Sequence, residues 1–187
     1  ETGRPDRKVF VICIVTALCL TMNKYLPDLI SFKLFSNNDQ LSDLANWVFI
    51  LCTFYFVVPV LVIKLFFKEN LIDYGLKWNG AFKDYWLYIV MLCVMVPLVA
   101  FFSTTSAFQA KYPFYDLAEG EALWPYFWTW EVLYLFQFIA LEFFFRGFMV
   151  HGLKHRFGFY SVLVMTIPYC MIHFGKPLPE TIAAIIA

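Results

Sequence analysis

The chain has 187 residues and zero formal net charge at pH 7; 61% of it is hydrophobic and only 15% charged, with a mean hydropathy of +0.68. A soluble domain carries about 45–50% apolar and about 25% charged residues, so a soluble globular protein is excluded. Disordered, collagenous and nucleic-acid-binding classes fall too, because there is no repeat, no basic block and an excess of bulky side chains. What remains is an all-α fold, a polytopic transmembrane helix bundle.

In chain order, apolar segments are predicted near 9–27, 47–67, 85–102, 124–150 and 159–175, with a sixth beginning at 181. Five of these approach the roughly 20 residues needed to cross a hydrocarbon core of about 30 Å. The polar stretches 24–46, 68–84 and 103–122 read as surface loops, with 71–77 apolar enough to lie at the membrane interface. No internal repeat or Gly/Ser linker divides the chain, which predicts one membrane-embedded domain over 1–187. The chain opens Glu1-Thr2-Gly3 and stops within an apolar run, so the natural protein is expected to continue past the C-terminus.

Cys13, Cys19, Cys52, Cys93 and Cys170 all lie in apolar runs, without a CxxC or zinc-like spacing. They are expected to act as small hydrophobes against lipid or neighbouring helices. Alternating the spans puts Arg4, Arg7, Lys8, Lys64, Lys68, Lys77, Lys83, Lys154 and Arg156 on the N-terminal side. Only Lys24, Lys33, Lys111 and Lys176 fall on the other. The bias predicts a cytoplasmic N-terminus. Trp124, Tyr126, Trp128 and Trp130 would form an aromatic belt where the fourth span enters from the opposite face.

That fourth span contains Glu131, Gln137, Glu142 and Arg146. Ionisable groups at membrane depth are costly unless paired, and so mark function by default. Glu142 and Arg146 are four residues apart, on one helical face and within reach of each other. Gly147 follows and would let a neighbouring helix approach closely. The fifth span ends IPYCMIHFGKPLPE, with Tyr169 and His173 again four apart. A carboxylate paired with Arg, acting beside an imidazole, can orient and deprotonate a water for attack on an amide or ester carbonyl. The same residues could instead form a Glu–Arg–His network that only fixes helix packing.

The string LEFFFRG, followed by YCMIH, resembles the CAAX protease and bacteriocin-processing (CPBP) family of intramembrane glutamic endopeptidases. EFFFRGF and HFGKPLPE together look like its bacterial single-Glu, myxosortase-like subgroup. The resemblance covers roughly the last third of the chain. Glu142 and Arg146 match the second Glu and the Arg of EExxxR; Tyr169 stands for the Phe of FxxxH, and His173 for its His. Leu141 occupies the place of the first Glu, and the family's later His motif would fall beyond residue 187. By this resemblance Glu142 and His173 would activate water, and Arg146 would hold Glu142 or contact substrate. Neither metal nor other cofactor would be required. The implied partners are the lipid bilayer, of a bacterial inner membrane, and a membrane-associated protein or peptide substrate, with no nucleic acid.

Pro177 and Pro179 should break a simple helix between His173 and Glu180, so Glu180 could fold back as a supporting group, or Lys176 and Glu180 could be interfacial. His151 and His155, beside Lys154 and Arg156, read as headgroup-facing positive charge rather than a metal site. Tyr112–Tyr115 with Asp116, Glu119 and Glu121 read as a solvated outer loop. Two functions compete with the peptidase: a noncatalytic scaffold or partner of another membrane protein, and a small proton-coupled transporter using Glu131 and Glu142.

Overall fold

The computed structural model describes residues 5–77, 80 and 82–186. Arg4, Ala187 and three positions of the 68–84 loop therefore lie outside the described residues. Six helices carry the fold: α1 (Arg7–Leu29), α2 (Asp39–Phe67), α3 (Tyr85–Phe102), α4 (Tyr126–Phe157), α5 (Tyr160–Met171) and α6 (Leu178–Ile186). The first four are long and apolar enough to cross a membrane, and there is no strand among the described residues. The architecture is an all-α bundle compatible with an integral membrane protein.

The chain divides into two compact units, 1–76 with 117–165 and 77–116 with 166–187. In the first, α1 begins at Asp6, whose Oδ1 accepts from the amides of Lys8 (2.9 Å) and Val9 (3.1 Å). That cap satisfies two of the donors every helix start leaves open. The helix then passes Lys24 and Pro27 before the backbone becomes extended at Ile30. Asn38 caps α2 by accepting from the Leu41 amide at 2.8 Å. The expected 24–46 loop is thus helical at both ends, because its polar residues cap helices, lie on exposed faces or, like Ser42 and Asn46, are buried donating to the Phe32 and Ile30 carbonyls. Pro59 sits in α2 between two π-wound stretches, Thr53–Val57 and Val62–Phe67. A proline lacks the N–H of the regular ladder, and i→i+5 winding is one way the backbone accommodates it.

Aromatic rings set the register of α2 against α4. Trp47 stacks on Trp130 (6.4 Å), Tyr55 on Phe144 (4.6 Å), and Phe56 meets Phe143 at 5.0 Å. Early pairs with early and late with late, so the two helices run parallel. Phe144, Phe145 and Phe148 are fully buried in the resulting core. Trp130 is 3% exposed, so it belongs to this core rather than to a belt, whereas Trp124 and Trp128 are exposed.

In the second unit, α3 has the bounds expected from its hydropathy and exposes its apolar residues along its length. The 103–122 stretch holds a one-turn helix, Ser106–Gln109, and a buried Tyr115. It is therefore not wholly a solvated loop. The fifth apolar segment is helical only to Met171; twelve residues rise about 18 Å, short of a hydrocarbon core. The chain turns through 172–175, with Gly175 at φ +88°, and α6 starts at Leu178. Pro177 precedes that helix and Pro179 lies in its first turn, where a missing N–H costs nothing. All five cysteines are free thiols; Cys19 is buried, while Cys13 and Cys93 are exposed.

Candidate functional site

Within the first unit, α4 and the 3₁₀ turn Leu71–Tyr74 enclose a cleft of about 420 Å³. Phe138, Ile139 and Phe143 form one wall, and Tyr74, Gly75 and Leu76 the other. Glu142, Arg146, His151 and the Tyr74 phenol are its ionisable groups. A mostly apolar cleft with a few convergent polar groups is the usual form of a ligand site.

The 3₁₀ turn is pinned from two directions. Lys8, on α1, donates to both oxygens of Glu69 at 2.8 and 2.7 Å, and the Tyr74 hydroxyl donates to Glu69 Oε2 at 2.5 Å. Partial burial alone would raise the Glu69 carboxyl, but the bonds from Lys8 and Tyr74 hold it below its ordinary range. Burial and the adjacent carboxylate push the Tyr74 phenol up, keeping it a donor. From the other side, Gly147 admits the turn: a Cβ there would lie 2.8 Å from the Tyr74 carbonyl oxygen and 2.8 Å from Phe143 Cδ2. The close approach expected of Gly147 is thus made to the 3₁₀ turn. Gly75, at φ +89°, ends the turn beside His151; its own Cβ would meet His151 Nε2 at 3.7 Å.

Arg146 Nη1 donates to Glu142 Oε2, an i,i+4 ion pair whose side chains are 41% and 42% exposed. The pair carries no net charge. His151 joins it because α4 is π-wound over Phe143–His151. In a regular helix, nine residues at about 100° each would put His151 opposite Glu142. Wider i→i+5 winding brings positions nine apart back towards one face. Sequence reading placed His151 among the lipid headgroups; it is exposed but forms part of the cleft wall.

His155, one turn on, is clasped. Its Nδ1 lies 2.9 Å from the Gly152 carbonyl and its Nε2 2.8 Å from Asp6 Oδ2. His155 thus closes α1 onto the end of α4. The contact is tight: a Cβ on Gly152 would lie 2.6 Å from Ile12 Cδ1.

Leu141 is 7% exposed and Gln137 is likewise buried; neither lines the cleft. Glu131 is exposed near the start of α4 and is not part of it either.

The other expected site residues gather in the second unit, around the turn between α5 and α6. His173 Nδ1 is 2.8 Å from the Tyr169 carbonyl, and the two rings are 4.9 Å apart. A carbonyl only accepts, so Nδ1 carries the proton and Nε2 the lone pair. Thr181 donates to the His173 carbonyl at 3.0 Å, anchoring the turn to α6. Glu180 accepts from Lys176 (2.5 Å) and from the Tyr112 hydroxyl (2.8 and 3.0 Å). Tyr112 is therefore part of this network rather than of a solvated loop.

Among the described residues, no three His, Cys, Asp or Glu side chains are grouped to hold a metal ion. Comparisons with family models, with curated proteins and with solved structures found no match to this chain.

Proposed function

We propose that the chain is the membrane-embedded part of a metal-independent intramembrane endopeptidase resembling the CPBP family. The observation that carries this reading is the Glu142–Arg146 pair facing an otherwise apolar cleft on a membrane-length helix. Glu142 takes a proton from water, the hydroxide attacks the peptide carbonyl, and the proton passes to the leaving amine. Arg146 fixes the carboxylate. The resemblance gives His173 a role as proton acceptor, for which its Nδ1 bond to the Tyr169 carbonyl orients the ring. Tyr169 orients that ring through its carbonyl, and Lys176 and Glu180 support the turn. Substrates would be membrane-associated proteins or peptides cut close to the bilayer.

The same reading puts the protein in a bacterial inner membrane with its N-terminus cytoplasmic. The resemblance carries the membrane, and the orientation is supported by nine Lys and Arg on the N-terminal side against four on the other.

Terminal-peptide proteomics on membranes holding the full-length protein or its Glu142→Gln variant, at matched abundance, tests the proposal. New protein termini found only with the wild type are expected. Identical termini from two folded proteins would overturn the peptidase and leave a noncatalytic membrane partner.

A further inference from the structure

One end of the first unit gathers cations from three helices. The Lys8–Glu69 and Asp6–His155 bonds bring together the start of α1, the end of α2 and the end of α4. Arg7 lies between Asp6 and Lys8, Lys68 adjoins Glu69, Lys64 is about one turn earlier, and Lys154 and Arg156 flank His155. All five of these cations are exposed. The carboxylates nearest them are already engaged. Asp6 caps α1 and accepts from His155, and Glu69 accepts from Lys8 and Tyr74. Asp73 is the one other carboxylate described at this end of the unit, and it is exposed.

Interleaved with these cations the surface is apolar and bulky. Phe10, Leu65, Phe66 and Ile72 are each 63–68% exposed. A cationic rim above exposed hydrocarbon matches a lipid that carries a phosphate over acyl chains. A soluble anion would use the rim and gain nothing from the apolar belt.

We propose that this end of the bundle is a docking surface for anionic phospholipids, with Arg7, Lys64, Lys68, Lys154 and Arg156 contacting headgroup phosphates. The lysine and arginine bias thus has a second use here, since Asp6 and Glu69 are paired internally and Asp73 alone of the described carboxylates at this end is left to offset five cations. The proposal rests on α1, α2 and α4 crossing a bilayer and not on peptidase activity.

The test is native mass spectrometry of the full-length protein in mild detergent, with an equimolar mixture of phosphatidylglycerol and phosphatidylcholine. Phosphatidylglycerol should be retained at least about tenfold over phosphatidylcholine. The R7Q/K64Q/K68Q/K154Q/R156Q variant should lose that preference. Should it fail to fold, K64Q/K68Q and K154Q/R156Q should each reduce it severalfold, while K24Q/K33Q leaves it intact. Equal retention of the two lipids would overturn the proposal. So would equal losses in K24Q/K33Q and K154Q/R156Q, or full displacement of phosphatidylglycerol by millimolar inorganic phosphate.

Discussion

Asp6 and His155, 149 positions apart, are joined by a 2.8 Å hydrogen bond between Oδ2 and Nε2. The other oxygen of Asp6 caps α1, so one carboxylate both starts the first helix and fastens it to the last turn of α4. Glu142, Arg146 and His151 sit further back along that same helix.

The clasp makes stability depend on acid. The hydrogen bond from His155, followed by the Val9 amide, holds the Asp6 carboxyl below the ordinary carboxylate range. A depressed carboxylate adds stability above its unfolded value and loses it as pH falls through the folded one. Asp6→Asn keeps a capping oxygen but removes the charge. Its Tm in detergent should lie below wild type at about pH 6, with the gap closing under strong acid. A gap that persists unchanged into acid would rule out the carboxylate as its source.

Gly147 and Gly152 should differ in tolerance. An alanine at 147 meets the Tyr74 carbonyl oxygen, which is backbone, so the cleft wall must move. An alanine at 152 meets the end of the Ile12 side chain, which can swing. Gly147→Ala should cost about 1–3 kcal/mol, and Gly152→Ala less. Chemical denaturation in mixed micelles ranks the two.

The ion pair predicts non-additivity. Arg146→Met leaves the Glu142 carboxylate facing apolar walls, whereas Arg146→Met with Glu142→Gln removes both charges. A double-mutant cycle should give a coupling of about 1 kcal/mol, since both side chains are part-exposed. Strictly additive losses would mean that the pair adds nothing to folding.

In the second unit, Tyr112→Phe removes one of the two groups donating to Glu180. Amides in α6 should exchange about tenfold faster, consistent with losing a hydrogen bond to a charged acceptor. Exchange in α2 should be unaffected.

Sequence patterning located α3 to the residue because Lys83, Asp84 and Ser103 bound it on both sides. It took α1 nearly to its end but cut α2 short, because residues 39–46, its first two turns, look like loop until their capping and packing are seen. The Glu142–Arg146 pair was legible from an i,i+4 spacing that survives either kind of helical winding. His151 was not, since its place in the cleft depends on nine residues of π winding that a 3.6-residue period cannot anticipate. Tyr74 was hidden for another reason: the Glu69 carboxylate it donates to is held by Lys8, which only long-range pairing brings there.

The parallel alignment of α2 and α4 has a consequence for biosynthesis. Trp47, Tyr55 and Phe56 find ring partners on α4, far along the chain. During synthesis this seam cannot close until residues 130–144 have left the ribosome. Premature release before that point would yield a nascent chain with its main aromatic seam open.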